Sequence, residues 1–202
     1  MRLTLGGDRA AAVQRFDDAV DKGFQRLRGH PLADRVFYGA SAVGDHGLIW
    51  VMLGALRGLR GDHHWRAAVR VGAGVGLESV LVNLGIKSLF RRRRPVVDEP
   101  RPYPLRIPLT SSFPSGHATS AFCAATLLAD GDPGLAPLYY GAATVVALSR
   151  IHVRIHHASD VAGGIVIGLA LGRLGLRLAP LEPRAVRATA APVRNGRGRR
   201  RR

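Results

Sequence analysis

Residues 71–90 read VGAGVGLESVLVNLGIKSLF. At 1.5 Å per residue, a helix of this length runs about 30 Å, the thickness of one bilayer core. The stretch is apolar and rich in glycine, yet it carries Glu78, Asn83 and Lys87. Ionisable groups are costly in lipid and face the interior of a helix bundle. The segment therefore reads as a membrane helix whose polar residues look inward.

Outward from it lie four more apolar segments, residues 36–56, 118–129, 135–148 and 161–178. The first holds only Asp45 and His46 as strongly polar members and is long enough to span. Segments 118–129 and 135–148 are short for a span and, taken singly, would suit a soluble core. Five such segments in a chain of 202 residues predict an all-α, multi-pass membrane bundle instead. Ahead of them, Val13, Phe16, Val20, Phe24 and Leu27 recur at spacings of 3 and 4 among charged residues. That is the pattern of an amphipathic helix, expected in the membrane interface. The chain thus divides into an amphipathic segment (1–35), a membrane domain (36–178) and a tail (179–202). The tail ends RNGRGRRRR and has no periodicity, so it is expected to be disordered. No apolar h-region precedes a small-residue cleavage site at the N-terminus, so a cleaved signal peptide is not expected. The only cysteine, Cys123, permits no internal disulfide.

Charge adds a second message. Thirty Lys and Arg stand against 14 acids, a formal charge of +16. Such an excess points to an anionic partner: nucleic acid, anionic lipid or a phosphorylated substrate. The tail has no interleaved aromatics to stack on bases, so anionic lipid headgroups, not nucleic acid, are its expected partner.

Three clusters carry the chemistry: Lys87-x6-Arg94-Pro95, then Pro114-Ser115-Gly116-His117, then Ser149-Arg150-x5-His156-x3-Asp160. Threaded up and down, the bundle brings the end of the second span, both ends of the link between fourth and fifth, and the start of the third to one membrane face. The clusters therefore form one site. Its residues suit phosphoryl transfer, whose transition state spreads charge over three equatorial oxygens. Arg94 and Arg150 offer planar forks, and Lys87 a point charge. Ser115 and Gly116 stand where a helix begins, with free N–H groups and the positive dipole end. His156 lies four residues before Asp160, so on a helical turn the carboxylate would reach its ring, fix the tautomer and leave a nucleophilic nitrogen. His117 is placed to protonate the leaving alkoxide. No carboxylate group shows metal-ligand spacing, so neither metal nor cofactor is expected.

In order and spacing the clusters resemble the signature of the type 2 phosphatidic acid phosphatase superfamily, which also contains vanadium haloperoxidases and acid phosphatases. The resemblance covers residues 36–178. It implies a helical bundle and metal-independent phosphatase chemistry through a phosphohistidine. It further implies His156 as nucleophile, Asp160 as its partner and His117 as acid, with Lys87, Arg94, Ser115, Gly116 and Arg150 as the phosphate shell. The chain departs from the family at His157 and Ala158, where an aromatic and a proline are frequent, and at His152-Val153-Arg154. These are expected to line the headgroup site. Arg91–Arg93 are expected to snorkel at the interface, and Glu78 and Asn83 to pair helices or orient Lys87.

The expected substrate is a polyprenyl-linked phosphate monoester or pyrophosphate of cell-envelope synthesis, such as decaprenylphosphoryl-phosphoribose or undecaprenyl pyrophosphate. Phosphatidic acid and phosphatidylglycerol phosphate are the alternatives within the class. A non-enzymatic membrane protein that tethers anionic lipid or nucleic acid by its basic tail is the alternative outside it.

Overall fold

The computed structural model describes residues 7–97 and 100–181. The Arg-rich stretch from residue 182 onward, read above as a disordered tail, lies outside the described residues. Within them the chain is all-helical.

Helix α1 (Gly7–Gln25) is followed by α2 (Pro31–Val43), a 3-10 turn (Asp45–Gly47) and α3 (Leu48–Gly58). Then come α4 (Asp62–Val80), continued through a π-turn (Leu81–Ile86) into the short α5 (Lys87–Leu89), and α6 (Gly116–Gly131). A second 3-10 turn (Pro133–Leu135) leads to α7 (Ala136–His152), and α8 (Ala158–Leu178) closes the fold.

By length and hydropathy, residues His64–Leu89 and Ala158–Leu178 can each cross a membrane alone. The α2–α3 pair passes the same test jointly, but bent by 57°. The expectation of one straight helix over residues 36–56 is corrected here. His46 and Gly47 both take positive φ, so the helix breaks beside Asp45. The tolerance of glycine for φ > 0 makes that bend cheap at Gly47. Helices α6 and α7, 16 and 17 residues long, fall short of the single-helix length and are the most buried part of the bundle.

Helix α6 is the axis of the molecule. Twelve of its sixteen residues are buried, and α8, α7 and α4 surround it. The closest seam is with α8, where Gly164, Gly168 and Gly172 recur every fourth residue. A Cβ built at Gly168 would lie 2.4 Å from the Thr119 carbonyl oxygen, and one at Gly164 2.7 Å from that of Ser115. In lipid, where apolar burial between helices gains little, such small-residue seams supply association through close backbone contact. The seam has a functional result, because α6 and α8 begin at the same end.

At that end α1 and α2 are tied down as well. Arg28 donates to the carbonyls of Ile151 (3.0 Å) and His152 (2.9 Å), capping α7. His152 is buried, bonds Asp34 at 2.7 Å and stacks on Phe37. At the opposite end Arg57 and Arg70 bond the carbonyls of Leu128 and Leu127, closing the C-terminus of α6.

Candidate active site

The ends of α5 and α7, the starts of α6 and α8, and the irregular segment 90–115 converge on His156. This histidine is buried in the turn between α7 and α8. A cleft of about 250 Å³ is walled by Lys87, Gly116, His117 and His156 from the sequence clusters, together with Asp45, Glu78 and Asn83.

The residues facing His156 differ on its two nitrogens. Nε2 lies 3.1 Å from an Arg94 guanidinium nitrogen, and Arg94 is itself held by the carbonyls of Ile155, Thr110 and Ser111. Nδ1 faces Asp160, but at 3.7 Å, too long for a direct hydrogen bond. The hydroxyl of Ser112 stands between, 2.6 Å from Asp160 Oδ2 and 3.5 Å from Nδ1. This corrects the expected contact along one helical turn. His156 precedes α8 instead of lying on it, while Asp160 occupies the third position of the helix. There its carboxylate accepts from the His157 backbone N–H at 2.9 Å, forming a capping box.

Burial pushes the His156 imidazole well below its usual range, to about 3, with Arg94 and Arg150 adding to the effect and Asp160 opposing it. At neutral pH the ring is therefore uncharged and keeps a lone pair. Burial also lowers the Arg94 guanidinium from its ordinary value, with Asp160 opposing.

His117 opens α6 and points Nε2 at Asp45 (3.0 Å) and at the Ser41 carbonyl (3.1 Å). Both are acceptors, so Nε2 carries a proton and Nδ1 is left for exchange. Asp45 is held there by the break between α2 and α3. Lys87 donates to Asn83 (3.0 Å) and reaches the hydroxyl of Thr110 (3.4 Å). A Cβ on Gly116 would sit 3.5 Å from Lys87 Nζ, in ordinary contact, so the start of α6 and the Lys87 ammonium are close neighbours.

Arg150 and Ser115 do not line the open cleft; both are fully buried behind it. Arg150 donates to the Ser41 hydroxyl, while its Nε and second terminal nitrogen have no hydrogen-bond partner. Arg94 Nε and Ser115 Oγ are likewise unpartnered. Ser115 precedes the first residue of α6 yet makes no side-chain cap. Buried donors without acceptors are costly, and these four atoms belong to three residues of the anticipated phosphate shell. An anion with several oxygens would satisfy them.

The sequence reading missed three participants. Arg92, expected to snorkel, instead bridges Asp160 (2.7 Å) and the buried Asp17 of α1 (2.5 Å). Asp17 also accepts from the backbone N–H and hydroxyl of Ser159. Ser112 is the third. His152, expected to line the headgroup site, packs among Phe24, Phe37 and Tyr38 instead. Among the described residues no three His, Cys, Asp or Glu side chains gather as a metal-ligand set.

Comparison with known proteins gives a consistent picture. The PAP2 superfamily profile matches residues 67–183. The chain is 36% identical over 137 residues to decaprenylphosphoryl-5-phosphoribose phosphatase of Mycobacterium tuberculosis, covering 67% of this chain and 75% of that protein. The Mycolicibacterium smegmatis protein of the same name is 36% identical over 156 residues, covering 74% and 82%. Among solved structures, a transmembrane PAP2-type phosphatidylglycerolphosphate phosphatase from Bacillus subtilis superposes with a TM-score of 0.62 at 26% identity, covering 86% of this chain and 89% of that one. A bacterial vanadium-dependent iodoperoxidase, at 16% identity and a TM-score of 0.51, shares the fold alone. With its three sequence clusters gathered around one buried histidine, and with a profile match over more than half its length, the chain belongs to the PAP2 superfamily.

Proposed function

We propose that the protein is a multi-pass cell-membrane phosphatase that hydrolyses the phosphate ester of a polyprenyl-linked substrate through a phosphohistidine on His156. The observation that carries this reading is the set of unpartnered buried donors on Arg94, Arg150 and Ser115 beside a neutral histidine. A phosphate supplies the acceptors they lack.

His156 Nε2 attacks phosphorus in line with the ester oxygen. The Arg94 N–H that now faces Nε2 turns to a phosphoryl oxygen, freeing the lone pair. As the P–N bond forms and the P–O bond breaks, charge on the equatorial oxygens is met by Arg94, Arg150, Lys87 and the first N–H groups of α6. Nδ1 carries a proton that Ser112 and Asp160 stabilise as the ring becomes cationic. His117, doubly protonated with its Nε2–H held on Asp45, gives its Nδ1 proton to the leaving alkoxide. Water then attacks phosphorus, His117 takes its proton, and the P–N bond breaks to release inorganic phosphate. Every charge that develops has a fixed counter-charge on the chain, so the residues suffice without a metal.

The names of the mycobacterial relatives favour decaprenylphosphoryl-5-phosphoribose or a close kin as substrate. Phosphatidylglycerol phosphate is a second reading, favoured by the shared fold of the Bacillus enzyme. The test is phosphate release by detergent-purified protein from a panel of lipid phosphates and pyrophosphates, with EDTA throughout. Wild type should remain active, and His156→Ala should lose about three orders of magnitude or more. Undiminished hydrolysis by His156→Ala would sink the mechanism. Loss of wild-type activity on chelation would sink metal independence.

A further inference from the structure

Arg106 has no place in the chemistry just described. It stands in the irregular segment ahead of α6 and lines the same cleft as Lys87, His117 and His156. Among the charged residues of that wall it alone is exposed. One guanidinium N–H donates to Nε2 of His46, which is exposed as well. A guanidinium carries several N–H donors and no acceptor. Among the described residues Arg106 meets no carboxylate and no hydrogen-bond partner besides His46. Its charge and its remaining donors are therefore unmatched, at the rim of the cleft proposed to take phosphate.

The contacts of His46 place Arg106 relative to the reacting ester. In an in-line displacement the leaving oxygen departs on the side away from the nucleophile. His117, the proposed acid, marks that side, while Arg94 stands against His156 Nε2 on the other. Asp45 holds His117 Nε2 at 3.0 Å, and His46 is the next residue. The bend that carries both packs on the first turn of α6. A Cβ on Gly44 would lie 2.9 Å from His117 Cδ2, and one on Gly47 3.6 Å from Ser120 Cβ. Two contacts, Asp45 to His117 and His46 to Arg106, thus tie the guanidinium to the leaving-group wall. The attacked phosphate is already supplied with donors by Arg94, Arg150, Ser115 and Lys87. What remains for Arg106 is an anion on the leaving alcohol, beyond the scissile bond.

We infer that Arg106 forms a second anion subsite, which binds a phosphodiester carried by the leaving alcohol and so selects substrates with two phosphorus groups over simple phosphate monoesters. This rests on the phosphatase reading above and narrows its substrate class. A polyprenyl-phosphoryl-pentose 5-phosphate and phosphatidylglycerol phosphate both carry such a diester, whereas phosphatidic acid has none. The planar guanidinium fork matches the two free oxygens of a diester, and the hydrogen bonds are charge-assisted. At an exposed rim, screened by water and salt, the contact contributes at the low end of its range, about 10-fold in kcat/KM.

The experiment compares kcat/KM for a polyprenyl-phosphoryl-pentose 5-phosphate and for its methylphosphonate analogue, in which the bridging diester is uncharged. Wild type, Arg106→Gln and Arg106→Lys are measured side by side in neutral detergent free of lipid. In wild type the charged diester should be preferred by about 10-fold. Arg106→Gln should collapse that ratio towards one, chiefly through KM, and Arg106→Lys, which keeps the charge without the fork, should retain part of it. An unchanged ratio in Arg106→Gln, or an equal loss on both substrates, would overturn the inference. So would a defect that emerges only when anionic lipid is added, since Arg106 would then serve bulk headgroups. If Arg106→Gln does not fold, the wild-type and Arg106→Lys ratios decide alone, and a wild-type ratio near one overturns the subsite. Wild type inactive on both substrates and on phosphatidic acid overturns the phosphatase reading, a result distinct from failure at Arg106.

Discussion

His156 combines two demands on one ring. As the nucleophile proposed above it must be neutral, and burial beside two guanidinium groups keeps it so, at about 3. In the proposed phosphohistidine it would carry positive charge, and Asp160 with Ser112 stands on its Nδ1 side to meet that charge. The first demand has a thermodynamic cost. In the unfolded chain the ring titrates near 6.5, so between that pH and about 3 the unfolded state binds a proton that the folded state refuses. Stability therefore falls as pH drops below 6.5, by about 2 kcal/mol at pH 5 from this group alone. Thermal unfolding in detergent at pH 7.5 and pH 5 should show a smaller acid-induced drop in Tm for His156→Gln than for wild type. Equal drops would show that the ring is not held neutral by the fold. At this scale the sequence is legible where chemistry sits at fixed spacing. Lys87, Arg94, Ser115, Gly116, His117, Arg150, His156 and Asp160 all gather in one region, as their positions at segment ends imply. Ser112 and Arg92 were hidden. They lie in an irregular segment, where no periodicity tells which way a side chain points.

The elements show why small displacements matter. Helix α6 carries Gly116 and His117 at its start, and α8 carries Asp160 at its own. Their spacing is set by the glycine seam. Gly168→Ala would place a methyl 2.4 Å from a backbone oxygen, and a helix backbone cannot yield as a side chain can. The helices must part, at a cost of roughly 1–3 kcal/mol. We expect a lower thermal midpoint in detergent together with reduced kcat, whereas Gly72→Ala, which meets nothing within 4 Å, should be silent in both assays. Glycine abundance in the α8 segment was visible in the sequence, but its partner helix was not. The break in the α2–α3 span was concealed for a different reason. Residues 36–56 have the length and hydropathy of one helix, and only Asp45 and His46 hinted otherwise. Positive φ at a non-glycine residue such as His46 is decided by tertiary contact.

For the molecule as a whole, the membrane bundle was readable from five apolar segments, whereas the role of α1 was not. An amphipathic helix reads as a surface element, and nothing in its pattern reveals that Asp17 is 3% exposed and bonded to Arg92. Removing residues 1–29 takes Asp17 from Arg92 and Arg28 from the end of α7, while leaving every sequence cluster in place. We expect the shortened protein to insert in membranes but to lose at least ten-fold in kcat on a lipid phosphate. Full activity would reduce α1 to a surface attachment. Asp17 and Ser159 are 142 residues apart in the chain, so the bond between them also orders the protein's own manufacture. Helix α1 is translated well before α8, the helix to which it is bonded. Until α8 arrives Asp17 has no Ser159 to bond, and His156 has no Asp160 beside it. Two distant stretches of the chain must both be in place before this corner of the site exists.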